Sequence, residues 1–252
     1  MAAIKTSELS AKLPAQSGQN NDSVKKIQEW LTYHQFATGI DSDFGAATLK
    51  AVQKFQADRS LPQTGVVTET EWGLLTAPMQ AALREIAAGS MTLGELTVAY
   101  SGQHLQQHPI ELGGENRGPW VRLYCGGKDG VDYKWCAGFA TFLVEQAAKT
   151  LGVASPIAKT LGCNDLARDA RAKKRLTKPG QPSFKRVGPG SYFLLSDSDN
   201  LDNFFHCGLV KELGKDTFDT IEGNTNHDGS SNGYEAINRT RTYRRMMFAI
   251  VD

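Results

Sequence analysis

The first third of the chain carries mostly apolar residues at helical spacing in three short segments. Turns marked by glycine and proline separate these segments, which is the pattern of a minimal helical bundle. The repeating positions are Val24, Ile27 and Leu31, then Thr48, Val52 and Phe55, and finally a segment around Glu69–Leu75 that contains Trp72. We therefore expect a small three-helix bundle over residues 22–77.

The remainder of the chain has a mixed pattern. Helical periodicity is found at 79–88, at 93–107 and after Trp135. Short β-type runs follow, and they are Tyr192–Leu195, His206–Val210, Thr217–Ile221 and Met246–Val251. We expect an α+β fold in which the bundle precedes a domain of residues 92–252, with an antiparallel sheet packed on helices. Residues 1–21 are polar and predict a flexible arm, and 78–91 predict a linker.

The amino-acid composition and charge argue against some classes of protein. The 252 residues include 28 Lys and Arg against 27 Asp and Glu, and this near-neutral balance argues against a nucleic-acid-binding protein. No apolar run approaches the roughly 20 residues of a membrane helix, so no membrane insertion is expected. The first residues lack the apolar segment of a secretory signal, which predicts synthesis in the cytoplasm without a signal peptide.

The cysteines are Cys125, Cys136, Cys163 and Cys207, and their spacing fits neither a disulfide scaffold nor a zinc finger. We therefore expect no metal ion and no cofactor. Cys136 stands at the start of a predicted helix, where free N–H groups and the helix dipole favour a thiolate. A buried packing role is the ordinary alternative for such a cysteine. Cys207 flanks His206 on the opposite strand face, which predicts a place in the core.

A histidine and two polar residues can complete a site around Cys136. His206 lies in a predicted strand, F-F-H-C-G-L-V, in which Gly208 permits the close approach of another group. Glu222 and Asn224 are two residues apart, which predicts that both lie on one face of a strand. A thiol, an imidazole and an orienting polar group in this order are typical of papain-like hydrolases. Core packing of His206 is the alternative.

Residues 22–77 resemble the peptidoglycan-binding domain that is common in cell-wall hydrolases. The likeness rests on the segments S-V-K-K-I-Q-E-W-L, G-I-D-S-D-F-G-A-A-T-L-K-A-V-Q-K-F-Q and L-P-Q-T-G-V-V-T-E-T-E-W-G-L-L. Most of the shared positions are turn glycines or core residues. The resemblance therefore implies binding to peptidoglycan without singling out the side chains that touch it.

Residues 92–252 resemble the CHAP family, the cysteine- and histidine-dependent amidohydrolases and peptidases of the wider papain-like group. Four motifs carry the resemblance, in the order G-G-E-N-R-G-P-W-V-R-L-Y, Y-K-W-C-A-G-F-A-T-F-L, F-H-C-G-L-V and T-I-E-G-N-T. The resemblance implies a papain-like domain with Cys136 as nucleophile and His206 as base. By the same resemblance Glu222 is the orienting carboxylate and Asn224 the accompanying polar residue.

The chain departs from the family pattern in places. Gly190 and Ser191 stand where the family has Gly-Asp, and the stretch 152–189 is long. Asp129 and Asp132 are too sparse for the calcium loop that some relatives have before the nucleophile.

The two resemblances together imply a hydrolase that cleaves amide bonds of the peptidoglycan stem, either as an N-acetylmuramoyl-L-alanine amidase or as an endopeptidase. One alternative is a non-catalytic peptidoglycan-binding or interaction protein with a degenerate hydrolase domain. A second alternative is a metal-dependent wall peptidase. We also expect a chain without residues 1–78 to fold and to act on soluble muropeptides.

The expected partner is peptidoglycan, reached in the periplasm or wall after release as a phage endolysin or injection as a secreted effector. An export or injection machine and an immunity protein are further expected partners. Residues 168–186 contain eight basic residues and one Asp, which favours a solvated insertion over a site for anionic polymer.

Overall fold

The computed structural model describes residues 6–228 and 230–252. These residues form the predicted α+β fold, with eight α-helices and one six-stranded antiparallel sheet. The helices are α1 (Asp22–Tyr33), α2 (Ala46–Asp58), α3 (Glu69–Leu75), α4 (Ala77–Ala82), α5 (Leu93–Leu105), α6 (Pro119–Tyr124), α7 (Cys136–Leu151) and α8 (Cys163–Ala172). No helix in this part of the chain has both the length and the apolar character needed to cross a membrane.

The sheet is built from the C-terminal part of the chain. Its strands are β1 (Leu176–Thr177), β2 (Tyr192–Ser196), β3 (Phe204–Leu213), β4 (Thr217–Thr225), β5 (Glu235–Thr242) and β6 (Met246–Ala249). Across the sheet their order is β1-β6-β2-β3-β4-β5, and neighbouring strands are antiparallel. The sequence pattern predicts β2, β3, β4 and β6 but neither β1 nor β5.

Helices α1, α2 and α3 form the predicted bundle, and polar side chains fix its helix ends and loops. Asn21 accepts hydrogen bonds from the first-turn N–H groups of α1, and Thr68 forms a capping box with Glu71 at the start of α3. Gln28 is fully buried; its amide nitrogen donates to Asp41 Oδ1 and its oxygen accepts from the Asp41 N–H. Buried polar groups of this kind specify the loop conformations because leaving them unpaired is costly.

Residues 6–21 pack along the bundle, in contrast to the flexible arm expected from their composition. Ala15 is fully buried and forms an isolated antiparallel bridge with Val67, and Leu9 packs against the core. The polar composition conceals this order because a few well-placed apolar residues are enough to anchor a short segment. Residues 1–5 of the predicted arm lie outside the described residues.

The predicted linker, 78–91, is helical at its start and lies against the C-terminal part of the chain. Met79 and Ala82 of α4 are fully buried. The side-chain amides of Gln103 in α5 and Gln146 in α7 both donate to the carbonyl of Ala82, at 3.0 and 3.1 Å. This segment is therefore held in place by the C-terminal part of the chain.

A buried ion-pair cluster joins the N-terminal segment, the bundle and the C-terminal part. Arg122 in α6 donates to Glu8 and Glu29 at 3.0 Å each and to Asp129 at 2.8 Å. Burial alone would lower the pKa of Arg122, but hydrogen bonds to Glu29 and Glu8 raise it. Removal of residues 1–78 would leave this buried guanidinium with Asp129 as its remaining carboxylate partner.

The two faces of the sheet have different surroundings. The face that packs on α7 includes Cys207, Leu209 and Ile221. The opposite face has a smaller apolar cluster, which is Val187, Phe193, Val210, Phe218, Met246, Phe248 and Ile250. Gly223 of β4 lies so close to α7 that a Cβ there would be 2.8 Å from Phe139. Helix α7 is thereby held directly against β3 and β4.

Candidate active site

Cys136 is the first residue of α7 and follows the N-cap residue Trp135, whose side chain does not cap the helix. This is the position that the sequence predicts. The first-turn N–H groups of an uncapped helix are available to an anion, and the helix dipole adds to their effect. Cys136 is 3% exposed, so the thiol is almost completely covered.

Two further thiols lie against Cys136. Cys163 is the first residue of α8, and its Sγ is 3.7 Å from the Sγ of Cys136. Cys207 of β3 completes the group, since the three Sγ atoms lie within 4.8 Å of one another. Cys207 is in the core as predicted, but its closeness to Cys136 is a contact that the sequence pattern does not reveal.

Of the three thiols, Cys136 is the one whose pKa is lowered. Hydrogen bonds from Cys163 and Cys207 hold the pKa of the Cys136 thiol well below its usual range, against the effect of burial, and His206 contributes in the same direction. The same interactions raise the pKa of Cys163 and Cys207. The surroundings therefore favour the thiolate at Cys136 over a thiolate at either neighbour.

His206 lies near the start of β3 and is fully buried. Its Nε2 is 2.8 Å from Oε2 of Glu222 in β4. Nδ1 has no hydrogen bond of good geometry in the described part of the chain and is the ring nitrogen left for Cys136. Gly208 makes the contact with Glu222 possible, because a Cβ there would be 3.0 Å from Glu222 Cγ and 2.7 Å from the Ile221 carbonyl oxygen.

The imidazole is biased toward its charged form. Burial alone would lower the pKa of His206, but its interactions with Cys136 and Glu222 raise it to about 9. Because the pKa of Cys136 is lowered, there is a pH range in which a thiolate faces an imidazolium. An ion pair of this kind is the reactive form of thiol hydrolases.

Arg241 and Thr220 hold Glu222 in place. Arg241 of β5 donates from Nε at 2.6 Å and from Nη2 at 2.5 Å, and the Thr220 hydroxyl donates at 2.6 Å. Burial would raise the pKa of Glu222, but Arg241 and His206 together lower it to about 2. Neither supporting residue is predicted from the sequence. Arg241 reaches Glu222 because the β4–β5 register pairs Arg241 with Phe218, and this register is not visible in the sequence pattern.

Asn224 has a different environment from Glu222. The β4–β5 register shifts between Glu222 and Thr225, and Asn224 has a φ of 55°, so the alternation that predicts a shared face is interrupted. Asn224 donates to Asn232 at 3.4 Å, and its own carbonyl oxygen is buried with no partner in the described residues. Within these residues, no hydrogen bond joins Asn224 to His206.

The start of α8 covers the thiol. Asn164 accepts a hydrogen bond from the Phe204 N–H at 2.7 Å and donates to the side chain of Asn203 at 2.8 Å. These bonds tie α8 to the beginning of β3 and keep Cys163 against Cys136. The start of α8, which lies within the long stretch 152–189, is therefore held against the candidate site.

The basic residues of 168–186 are partly engaged within the chain. Ion pairs join Arg168 to Asp165, Arg171 to Asp202 and Lys173 to Asp169. Arg175 donates to the carbonyls of Ile250 and Val251. The side chain of Ser191, which replaces an aspartate of the family pattern, accepts from the Gly188 N–H at 3.3 Å. The side chains of these four basic residues and of Ser191 therefore have hydrogen-bond or ion-pair partners within the chain.

A family profile described as a putative peptidoglycan binding domain matches residues 20–75, which form the bundle. No curated protein and no solved structure matches the chain. The chain thus contains an N-terminal peptidoglycan-binding domain, as its sequence predicts. This domain indicates a function associated with the cell wall.

Proposed function

We propose that the chain is a peptidoglycan hydrolase whose C-terminal part is a papain-like domain of the CHAP type. The observation that supports this most strongly is the alignment of Cys136, His206 and Glu222. The Cys136 thiol stands at the start of α7, the imidazole of His206 interacts with it, and the Glu222 carboxylate lies on the other ring nitrogen. A helix with an N-terminal thiol packed on an antiparallel sheet with a histidine is also the papain-like arrangement.

The reaction is the hydrolysis of an amide bond in the peptidoglycan stem. The Cys136 thiolate attacks the carbonyl carbon and forms a tetrahedral intermediate. The carbon–nitrogen bond then breaks as the departing amine takes a proton from His206. Water, deprotonated by His206, attacks the resulting thioester, and a carboxylic acid is released as the Cys136 thiolate returns.

Two features of the site favour this reaction. The backbone N–H of Cys136 at the uncapped start of α7 is a suitable donor to the oxyanion of the intermediate. Glu222 is held by Arg241 and keeps His206 in one orientation, so the imidazole does not need to reorganise during the reaction.

The bundle would keep the enzyme on its polymer and so raise the local substrate concentration. A chain made in the cytoplasm would reach this polymer by release, as a phage endolysin does, or by injection as an effector. An export machine or an immunity protein would then be among its partners.

One observation favours a second candidate function, a binding protein with an inactive hydrolase domain. Cys136 is 3% exposed and His206 is fully buried, so a stem peptide reaches the thiol only if the start of α8 moves. The bonds of Asn164 to Phe204 and Asn203 would have to open in that movement.

Digestion of purified peptidoglycan separates these functions. The full chain is incubated with washed sacculi, and soluble products are analysed for new amino groups and by mass spectrometry. The proposal predicts new amino groups, and the fragment masses distinguish cleavage after the muramoyl group from cleavage within the peptide. Binding to sacculi without any soluble product would support the inactive domain. Loss of the activity with a chelator would indicate the metal-dependent alternative.

A further inference from the structure

Cys136, Cys163 and Cys207 come from α7, α8 and β3, and their sulfur atoms converge. The three Sγ atoms lie within 4.8 Å of one another, and those of Cys136 and Cys163 are 3.7 Å apart. Two thiolates that bind one tetrahedral zinc ion at about 2.3 Å are themselves separated by about 3.8 Å. The observed spacing is therefore close to that of ligands around a single ion.

The chemistry of these donors selects a thiophilic ion. Three sulfur atoms favour Zn²⁺ or similar soft ions over Mg²⁺ and Ca²⁺, which prefer oxygen. Glu222, the carboxylate of the site, is already bound by Arg241 and His206. The three cysteines are only 3, 7 and 0% exposed, so the sulfur atoms form a sheltered group.

A second observation also points to a ligand. Nδ1 of His206 is buried and has no hydrogen-bond partner in the described residues, although the ring adjoins Cys136. Buried polar atoms in folded proteins are normally paired, so Nδ1 is left either to the Cys136 sulfur or to an ion bound beside it. An imidazole nitrogen is a suitable fourth ligand to zinc beside three thiolates.

We propose that Cys136, Cys163 and Cys207 form a zinc-binding site, with the fourth position taken by water or by Nδ1 of His206. Each cysteine that is still protonated releases its proton to solvent when it binds the ion, and an imidazolium does the same at Nδ1 where His206 is the fourth ligand. The ion is coordinated by the sulfur of Cys136, so this sulfur cannot attack a substrate and zinc-bound protein cannot form a thioester. Zinc binding itself is independent of the proposed hydrolase activity, whereas inhibition by zinc rests on it.

Cobalt titration of the full, reduced chain tests this site. Tetrahedral Co²⁺ bound by thiolates gives sulfur-to-metal charge-transfer bands and strong visible bands, and Zn²⁺ added in competition gives the zinc affinity. We expect one ion per chain. Cys163→Ser and Cys207→Ser should each weaken binding by more than the roughly 10- to 100-fold that loss of an outer-shell partner costs. Cys125→Ser is the matched control, because Cys125 is buried outside the cluster.

The outcomes are distinct. Unchanged spectra in Cys163→Ser and Cys207→Ser, or cobalt bound without charge-transfer bands, would overturn the proposal. Circular dichroism shows whether a variant is folded, and a zinc-dependent rise in the melting temperature of the unmutated chain supports the site without any variant. Zinc binding in a chain that never hydrolyses peptidoglycan would refute the proposed function and leave the zinc site standing.

Discussion

Nε2 of His206 lies 2.8 Å from Oε2 of Glu222, and this contact leaves Nδ1 as the nitrogen available to Cys136. The carboxylate is held from its other side by Arg241. The proton on Nε2 is therefore fixed, and the imidazole is oriented by a charge rather than by the neutral side chain of Asn224.

This contact predicts unequal effects of substitution at the two polar positions. Glu222→Gln should lower kcat strongly with little change in KM, because loss of an orienting carboxylate costs up to about 10⁴-fold in serine hydrolases. Asn224→Ala should have a much smaller effect on kcat, because Asn224 contacts Asn232 rather than His206. Steady-state kinetics on a soluble muropeptide measures both. A larger loss from Asn224→Ala would exchange the two roles.

The raised pKa of His206 predicts the alkaline limit of activity. The imidazolium that protonates the leaving amine is present below its pKa of about 9 and is lost above it. The profile of kcat/KM against pH should therefore fall near pH 9. In Glu222→Gln the fall should move to lower pH, since a neighbouring charge that raises the pKa is gone. An unshifted limb would show that Glu222 does not act on His206.

The thiols of Cys163 and Cys207 predict the acid limit of activity, the pH below which Cys136 is no longer a thiolate. Hydrogen bonds from Cys163 and Cys207 lower the pKa of Cys136, so removing one donor should raise it. Alkylation of Cys136 by iodoacetamide, followed by peptide mass spectrometry over a pH series, reports the thiolate directly. Cys163→Ala should move the midpoint to higher pH, and Cys125→Ala should leave it in place. Identical midpoints in all three proteins would contradict the assignment.

The buried cluster around Arg122 predicts a large stability effect. Arg122→Leu leaves Glu8 and Glu29 as buried carboxylates without their partner, a change that costs about 3–5 kcal/mol in comparable buried pairs. Denaturant unfolding measures this loss, and Arg168→Leu, at an exposed ion pair, should have little effect. Adding Glu8→Gln and Glu29→Gln to Arg122→Leu should recover part of the stability. No recovery would show that the cost has another origin.

The same cluster changes the expectation for a truncated chain. Loss of residues 1–78 removes two carboxylate partners of Arg122 and also uncovers Trp120, whose ring lies 6.1 Å from that of Trp30. We therefore expect the chain without 1–78 to unfold at lower temperature than the full chain. Equal melting temperatures, measured by circular dichroism, would show that the C-terminal part is independently stable.

The sequence reveals those elements whose pattern is set locally. The bundle helices and α7 have regular apolar spacing, whereas β5 has mostly polar residues with partly exposed side chains and so gives no strand signal. The motifs in the sequence predict Cys136, His206 and Glu222 as candidate site residues. The convergence of Cys163 and Cys207 on Cys136 depends on how α8 folds back over the sheet, which no local pattern encodes. The shared face expected for Glu222 and Asn224 is interrupted by a register shift that sequence alternation does not show.

Cys136 is the proposed nucleophile that cuts peptidoglycan. The most direct measurement compares amino groups released from purified sacculi by the unmutated chain, by Cys136→Ala and by Cys125→Ala, with binding to the sacculi measured in parallel. We expect equal binding by all three proteins, release by the unmutated chain and by Cys125→Ala, and none by Cys136→Ala. Release by Cys136→Ala at the rate of the unmutated chain would contradict the account.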